Sequence, residues 1–158
     1  MIHYRCNSVD DTMKLGEQVA GHMTMNDCVV LSGDLGAGKT QFAKGFAAGL
    51  GVDDDITSPT FNILFEYVGD ELPLLHFDLY RLDEEDELTD IDFFGLLESG
   101  AVCLVEWGDK FAAAMPDERI DVQINVADDE ARNVAITGYG ARGMQIEAAL
   151  ADVLDVSS

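Results

Sequence analysis

Hydrophobic positions along the chain fall into short segments with the period of β-strands. Residues 28–31 and 101–107 are apolar on both faces, which is typical of strands buried in the centre of a sheet. Apolar residues alternate strictly with polar ones over 120–126, and the period returns at 134–136, so this region is predicted to be an antiparallel hairpin. Two further strands, joined by a turn at 69–71, are predicted over 61–68 and 72–79.

The remaining hydrophobic pattern has the period of helices. Ser8 and Asp11 match a capping box, which predicts a helix beginning after Ser8. A second helix is predicted to end at Gly51 and a third, with an acidic start, to cover 84–98; an amphipathic helix closes the chain. The apolar or small positions on these faces are Val9, Met13, Gly16, Ala20 and Met23, then Phe42, Phe46 and Leu50, then Ile146, Leu150, Val153 and Leu154.

These elements predict an α/β fold in which a mixed β-sheet is flanked by helices. The 158 residues are long enough to bury a core, and we expect a single domain over 1–158. No apolar run approaches the ~18–20 residues that span a bilayer, and the polar segment 1–11 does not resemble a secretory signal. The pattern therefore favours a soluble, cytoplasmic protein.

The charge of the chain restricts its partners. Nine Lys and Arg residues stand against 31 Asp and Glu residues, a formal net charge of −22. Binding to nucleic acid or to an anionic membrane relies on clustered cations, and this chain has few. We therefore expect no membrane contact and no tight, independent contact with nucleic acid.

A glycine-rich segment between a predicted buried strand and a predicted helix carries the clearest chemistry. It fits the P-loop pattern G-x-x-x-x-G-K-[ST] in full. Backbone N–H groups of such a loop surround phosphates, the lysine reaches the β- and γ-phosphates, and the last hydroxyl holds Mg²⁺. The segment predicts a P-loop NTPase-like fold. Its residues are Gly33, Asp34, Leu35, Gly36, Ala37, Gly38, Lys39 and Thr40.

A P-loop enzyme also needs an acid at the end of a core strand to anchor magnesium. Asp78 and Glu106 both end predicted strands, and spacing alone does not choose between them. The hydroxyl-rich segment 57–60 fits either a loop that closes over the γ-phosphate or an ordinary turn. His76 is interpreted as a core residue, and Trp107 as either core packing or a surface beside the nucleotide.

Four motifs together resemble the TsaE (formerly YjeE) family, P-loop ATPases of bacterial tRNA threonylcarbamoyladenosine biosynthesis. They are Gly33–Thr40, Ser58–Phe61, His76–Leu82 and Val105–Trp107, and the resemblance extends over about Ser8 to Trp107. It implies a small ATPase that uses ATP and Mg²⁺ and resets a TsaB–TsaD complex between rounds of modification of adenosine 37. Those partners, rather than this chain, are expected to hold the tRNA.

The resemblance also implies roles for individual residues. Lys39 contacts phosphate, Thr40 and Glu106 serve the magnesium, and Asp78 supports hydrolysis. The remaining implied contacts are Ser58 and Thr60 in a switch-like loop, Trp107 beside the nucleotide and Ser8 near the adenine. Two positions depart from the family: Gln41 follows Thr40 in place of a threonine, and Gly108 follows Trp107 in place of a proline.

Two other functions fit a P-loop. A small-molecule kinase transfers phosphate to an acceptor, but its usual cluster of arginines is reduced here to five scattered ones. A non-catalytic switch binds ATP and a partner without turnover. The N-K-x-D guanine motif is absent from the sequence, which disfavours a GTPase. We therefore expect an ATPase that turns over slowly alone and faster with its partners.

Overall fold

The computed structural model describes residues 1–34, 37–53, 63–127 and 131–154. Their strands form one sheet in the order β1-β7-β6-β2-β5-β4-β3. The strands are β1 (Ile2–Cys6), β2 (Cys28–Gly33), β3 (Leu64–Tyr67), β4 (Leu74–Asp78), β5 (Val102–Glu106), β6 (Arg119–Val126) and β7 (Arg132–Tyr139). The helices are α1 (Val9–Ala20), α2 (Lys39–Gly49), α3 (Asp86–Asp90), α4 (Phe93–Leu96), α5 (Gly140–Val153) and a 3₁₀ helix (Gly108–Ala114).

The centre of the sheet is parallel and its edges are antiparallel. β2 pairs in parallel with β5 and with β6, and β5 pairs in parallel with β4. β7 runs antiparallel to both β6 and β1, and β3 runs antiparallel to β4. The prediction of a mixed sheet flanked by helices is confirmed, and so is the hairpin of β6 and β7.

Helices cover both faces of the central strands. Phe42, Phe46 and Leu104 belong to the core that α1, α2 and α5 form against one face. Phe77 and Phe93 belong to the core on the opposite face, where α3, α4 and the 3₁₀ helix lie, and their rings meet edge to face with centroids 5.0 Å apart. No helix among the described residues is long and apolar enough to cross a membrane.

The prediction of a single helix over 84–98 is wrong. Two short helices, α3 and α4, occupy the segment, and Asp92 between them has a left-handed φ of 56°. At about 100° per residue, Leu88 and Phe93 would lie about 140° apart around one continuous helix. Both are 0% exposed in the same core. The break lets both side chains reach that core.

The N-terminal region differs from the prediction in two ways. Strand β1 was not predicted, because only Ile2 and Cys6 at its ends are buried. The face predicted for α1 is partly wrong: Val9 is exposed, whereas Leu15 and Val19 are buried. The predicted start of the helix is confirmed, since the Ser8 side chain accepts a hydrogen bond from the Asp11 backbone N–H.

Helices α1 and α2 approach each other at the level of their backbones. A Cβ atom added at Gly45 would lie 1.8 Å from the backbone oxygen of Met13, closer than real Cβ atoms come to any neighbour. A Cβ at Gly16 would lie 2.3 Å from the backbone oxygen of Phe42. Because α2 begins at the glycine-rich loop, this close contact also sets where that loop lies.

We expect Gly45→Ala to lower the free energy of unfolding by about 3 kcal/mol, because the two helix backbones must separate to admit the methyl group. Urea unfolding followed by circular dichroism measures the change. Gly21→Ala is the matched control, since the nearest atom to an added Cβ there is 3.5 Å away. Equal stabilities for the two variants would contradict this account of the helix contact.

Candidate functional site

The glycine-rich loop connects β2 to α2 at the carboxyl end of the parallel strands. Gly33 has a φ of 147°, and a Cβ there would lie 2.2 Å from the backbone oxygen of Ile124 on β6, so this position requires glycine. Asp34 is exposed, and its backbone oxygen accepts the N–H of Ala37 at 3.0 Å. Gly38 caps the N-terminus of α2. Leu35 and Gly36 lie outside the described residues.

The Lys39 side chain reaches back to the first residue of this loop. Lys39 is the first residue of α2 and is 7% exposed. Its Nζ donates a hydrogen bond to the backbone oxygen of Gly33 at 3.1 Å and lies 4.0 Å from the centroid of the Trp107 ring. Thr40 follows on the first turn of α2 and is partly buried. The indole therefore lies beside the P-loop lysine and also packs against the core on the opposite face of the sheet. Its contact with a nucleotide stays a prediction.

The two acids at strand ends lie side by side. Asp78 ends β4 and Glu106 ends β5, and their Cα atoms are direct partners in the parallel ladder. Partners in such a ladder point to the same face of the sheet. Leu104, two residues before Glu106, packs in the core under α2, so both carboxylates lie on the face where α2 begins. The structure thus brings both candidates to one place.

His76 is buried, as predicted, but it also contacts the site. Its exposure is 1%, and its Nε2 lies 2.6 Å from Oε2 of Glu106. The pattern of apolar residues in the sequence pointed to burial alone. The contact with Glu106 depends on the register between β4 and β5.

The environment of Asp78 disfavours its charged form. Burial raises the pKa of Asp78; the backbone N–H of Tyr80, which donates to its Oδ1, opposes this rise, while the neighbouring Glu106 carboxylate adds to it. A carboxyl group with a raised pKa accepts a proton more readily, as a catalytic base must.

We expect Asp78→Asn to raise Tm by about 1–2 °C near neutral pH. The folded pKa lies above the ordinary value of 3.8, so the ionised carboxylate costs the folded state stability at neutral pH. As pH falls through the raised pKa towards 3.8, that cost disappears and the two Tm values should converge. Differential scanning calorimetry of the ligand-free protein tests this, with Asp90→Asn at an exposed position as the control. A variant less stable than the wild type near neutral pH would refute it.

Lys110 joins the loops that follow the two acids, and the sequence analysis missed it. Its Nζ donates to the backbone oxygens of Tyr80 at 2.6 Å and Leu82 at 2.7 Å. The Tyr80 ring in turn lies 4.9 Å from the Trp107 ring. Lys110 therefore helps to hold the aromatic pair beside Lys39. Its only signal in the sequence is that it is one of nine cations.

Arg132 supports the P-loop from a distant part of the chain. Its Nε donates to the backbone oxygen of Ala37 at 2.8 Å, which ties the first residue of β7 to the loop. Because 95 positions separate the two residues, no local sequence pattern identifies this contact.

The sequence and the fold match one family. Its sequence profile, described as "Threonylcarbamoyl adenosine biosynthesis protein TsaE", matches residues 6–134. The chain belongs to the TsaE family. A Bacillus subtilis TsaE is 38% identical over 141 residues, covering 89% of this chain and 88% of that protein. A Streptomyces coelicolor TsaE is 42% identical over 136 residues, covering 82% of this chain and 91% of that protein.

The structural comparison gives the same result. The crystal structure of Bacillus subtilis YdiB aligns with a TM-score of 0.78 and 35% identity, covering 96% of this chain and 97% of that one. The relatives are named as proteins of tRNA threonylcarbamoyladenosine biosynthesis. The role of this TsaE chain therefore lies in that biosynthesis.

The remaining predicted site residues are only partly placed. Ser8 caps α1, whose first turn adjoins the P-loop: a Cβ at Gly38 would lie 3.8 Å from Cγ2 of Thr12. The contact of Ser8 with adenine stays a prediction. Thr57, Ser58, Pro59 and Thr60 lie outside the described residues.

The donors at the site suit magnesium. Thr40, Asp78 and Glu106 offer hydroxyl and carboxylate oxygens, which are hard ligands. Among the described residues there is no cluster of three or more His, Cys, Asp or Glu side chains that could hold a metal ion. Magnesium at phosphate sites is commonly held by one or two carboxylates together with the phosphates, so this donor set fits it.

Proposed function

We propose that this TsaE chain binds ATP with Mg²⁺ at its P-loop and hydrolyses it, and that hydrolysis resets a TsaB–TsaD complex between turnovers. The observation that carries the proposal is the hydrogen bond from the Lys39 ammonium group to the Gly33 oxygen at the start of the P-loop, on the face of the sheet that holds Asp78 and Glu106. A lysine at a phosphate loop and two strand-end carboxylates are the parts that phosphoryl transfer to water requires.

The loop and α2 provide the phosphate site. Backbone N–H groups of residues 33–40 and the N-terminus of α2 attract phosphate oxygens. Lys39 exchanges its hydrogen bond with the Gly33 oxygen for bonds to the β- and γ-phosphates. The centroid of the Trp107 ring lies 4.0 Å from Nζ of Lys39, so this ring would lie beside the bound nucleotide.

The acids divide the remaining work. Thr40 and Glu106 would hold the magnesium ion, which neutralises charge on the transferred phosphate when it is bound. Asp78 orients the attacking water and accepts its proton, a role that suits a carboxyl group with a raised pKa. Phosphoryl transfer is accelerated by an arginine finger that neutralises charge on the transferred phosphate. Arg132 is hydrogen-bonded to the P-loop backbone, and Arg81 lies on the surface. We therefore expect slow hydrolysis by the chain alone.

The net charge supports an indirect relation to tRNA. A chain with a net charge of −22 has few cationic side chains to neutralise the phosphate backbone of a nucleic acid. Its effect on tRNA would therefore pass through TsaB–TsaD. The alternatives, a small-molecule kinase and a switch without turnover, predict different results in the assay below.

The decisive assay is phosphate release from Mg-ATP by the chain alone and with its cognate TsaB–TsaD pair. We expect slow release alone and strong stimulation by the pair. Lys39→Ala should abolish both, because the ammonium group that neutralises the phosphates is gone. Normal stimulated turnover by Lys39→Ala would refute the proposed site. ATP binding without release under any condition would favour the switch, and acceptor-dependent ADP formation without protein partners would favour the kinase.

Separate replacement of the two acids should divide their roles. Glu106→Gln is expected to raise the Mg²⁺ concentration needed for half-maximal turnover at least about 10-fold. Asp78→Asn is expected to lower kcat about 100-fold with little change in that concentration. Titration of phosphate release with Mg²⁺ measures both effects. Mg²⁺-dependent nucleotide binding that survives both substitutions unchanged would show that the magnesium ligands lie elsewhere.

A further inference from the structure

We propose that His76 is a positioning residue for Glu106. Its Nε2–H donates a hydrogen bond to Oε2 of Glu106 and holds the carboxylate in one orientation, which leaves Oε1 to serve magnesium. The inference rests on the proposed function, in which Glu106 serves that ion. It adds a role for a histidine that sequence reasoning interpreted as core.

The geometry supports a strong and selective hydrogen bond. The distance from Nε2 to Oε2 is 2.6 Å, in a place where His76 is 1% and Glu106 is 5% exposed. Water has little access to compete there, and a hydrogen bond that involves an ionised group is stronger than a neutral one. A glutamate with several rotatable bonds would otherwise sample several rotamers.

The second nitrogen of His76 indicates the tautomer. Nδ1 is buried and has no hydrogen-bond partner among the described residues. A proton on Nδ1 would be a buried donor without an acceptor, which is costly. A proton on Nε2 instead has the Oε2 of Glu106 as its acceptor, 2.6 Å away. Nε2–H is therefore the donor of the pair, and Oε2 of Glu106 is the acceptor.

A purely packing role for His76 is distinguishable from positioning. The ladder partner of His76 on β5 is Leu104, and Leu74 lies two residues earlier on β4, so apolar side chains fill this layer of the core. Leucine at position 76 fits that layer but donates no hydrogen bond. Glutamine keeps an N–H donor at a similar reach from the backbone.

The first test uses the ligand-free protein and does not depend on nucleotide. Heteronuclear NMR of the imidazole nitrogens is expected to show a proton on Nε2 of His76 that is hydrogen-bonded to Glu106. The chain has three histidines, so His3→Asn and His22→Asn complete the assignment. An Nε2 without a proton, or a signal unchanged in Glu106→Ala, would overturn the proposal.

The second test uses Mn²⁺ as a substitute for Mg²⁺. Electron paramagnetic resonance measures the binding of Mn²⁺ to the protein in the presence of ADP. His76→Leu should weaken Mn²⁺ binding at least about 10-fold, and His76→Gln should restore most of it. ADP affinity in EDTA should stay the same in both variants. Phe77→Leu, which truncates a fully buried neighbour on the opposite face, is the matched control and should leave Mn²⁺ affinity unchanged.

The outcomes separate this inference from the proposed function. Equal Mn²⁺ affinity in His76→Leu and the wild type, or equal losses in the leucine and glutamine variants, would overturn the positioning role. A wild-type chain that binds ADP but no Mn²⁺ would instead overturn the assignment of magnesium to Glu106. That second result does not depend on the residue at position 76.

Discussion

The parallel register of β2, β5 and β4 is the constraint on which the site depends. Leu31, two residues before the end of β2, pairs with Glu106, and Glu106 pairs with Asp78, so the carboxyl ends of the three strands lie at one edge of the sheet. The P-loop begins where β2 ends, and the two carboxylates therefore lie beside it. A shift of a strand by one residue would turn its acid to the opposite face, away from α2.

Contacts with three other elements hold the two ends of the P-loop segment. Gly33 lies against the backbone of β6, α2 lies against the backbone of α1 at Gly45, and Arg132 bonds to the Ala37 oxygen. These contacts fix the positions of Gly33 and Ala37, on either side of Leu35 and Gly36.

The two acids at the strand ends lie where burial costs the folded state stability. Asp78 has its pKa raised mainly by burial, and Glu106 is almost fully buried with His76 as its partner. Carboxylates in such places cost the folded state free energy unless they are hydrogen-bonded or bind a cation. Burial of apolar residues on the same two strands, such as Leu104 and Phe77, supplies favourable free energy that offsets this cost.

The sequence by itself determined the α/β class, the P-loop and both strand-end acids, because hydrophobic period and glycine spacing are local properties. It missed the break at Asp92 and the strand β1, since neither short helices nor a strand buried only at its ends has a strong period. Tertiary structure alone decided that His76 contacts Glu106 and that Arg132 reaches Ala37. Such contacts follow from the packing of distant segments, which no local pattern of residues encodes.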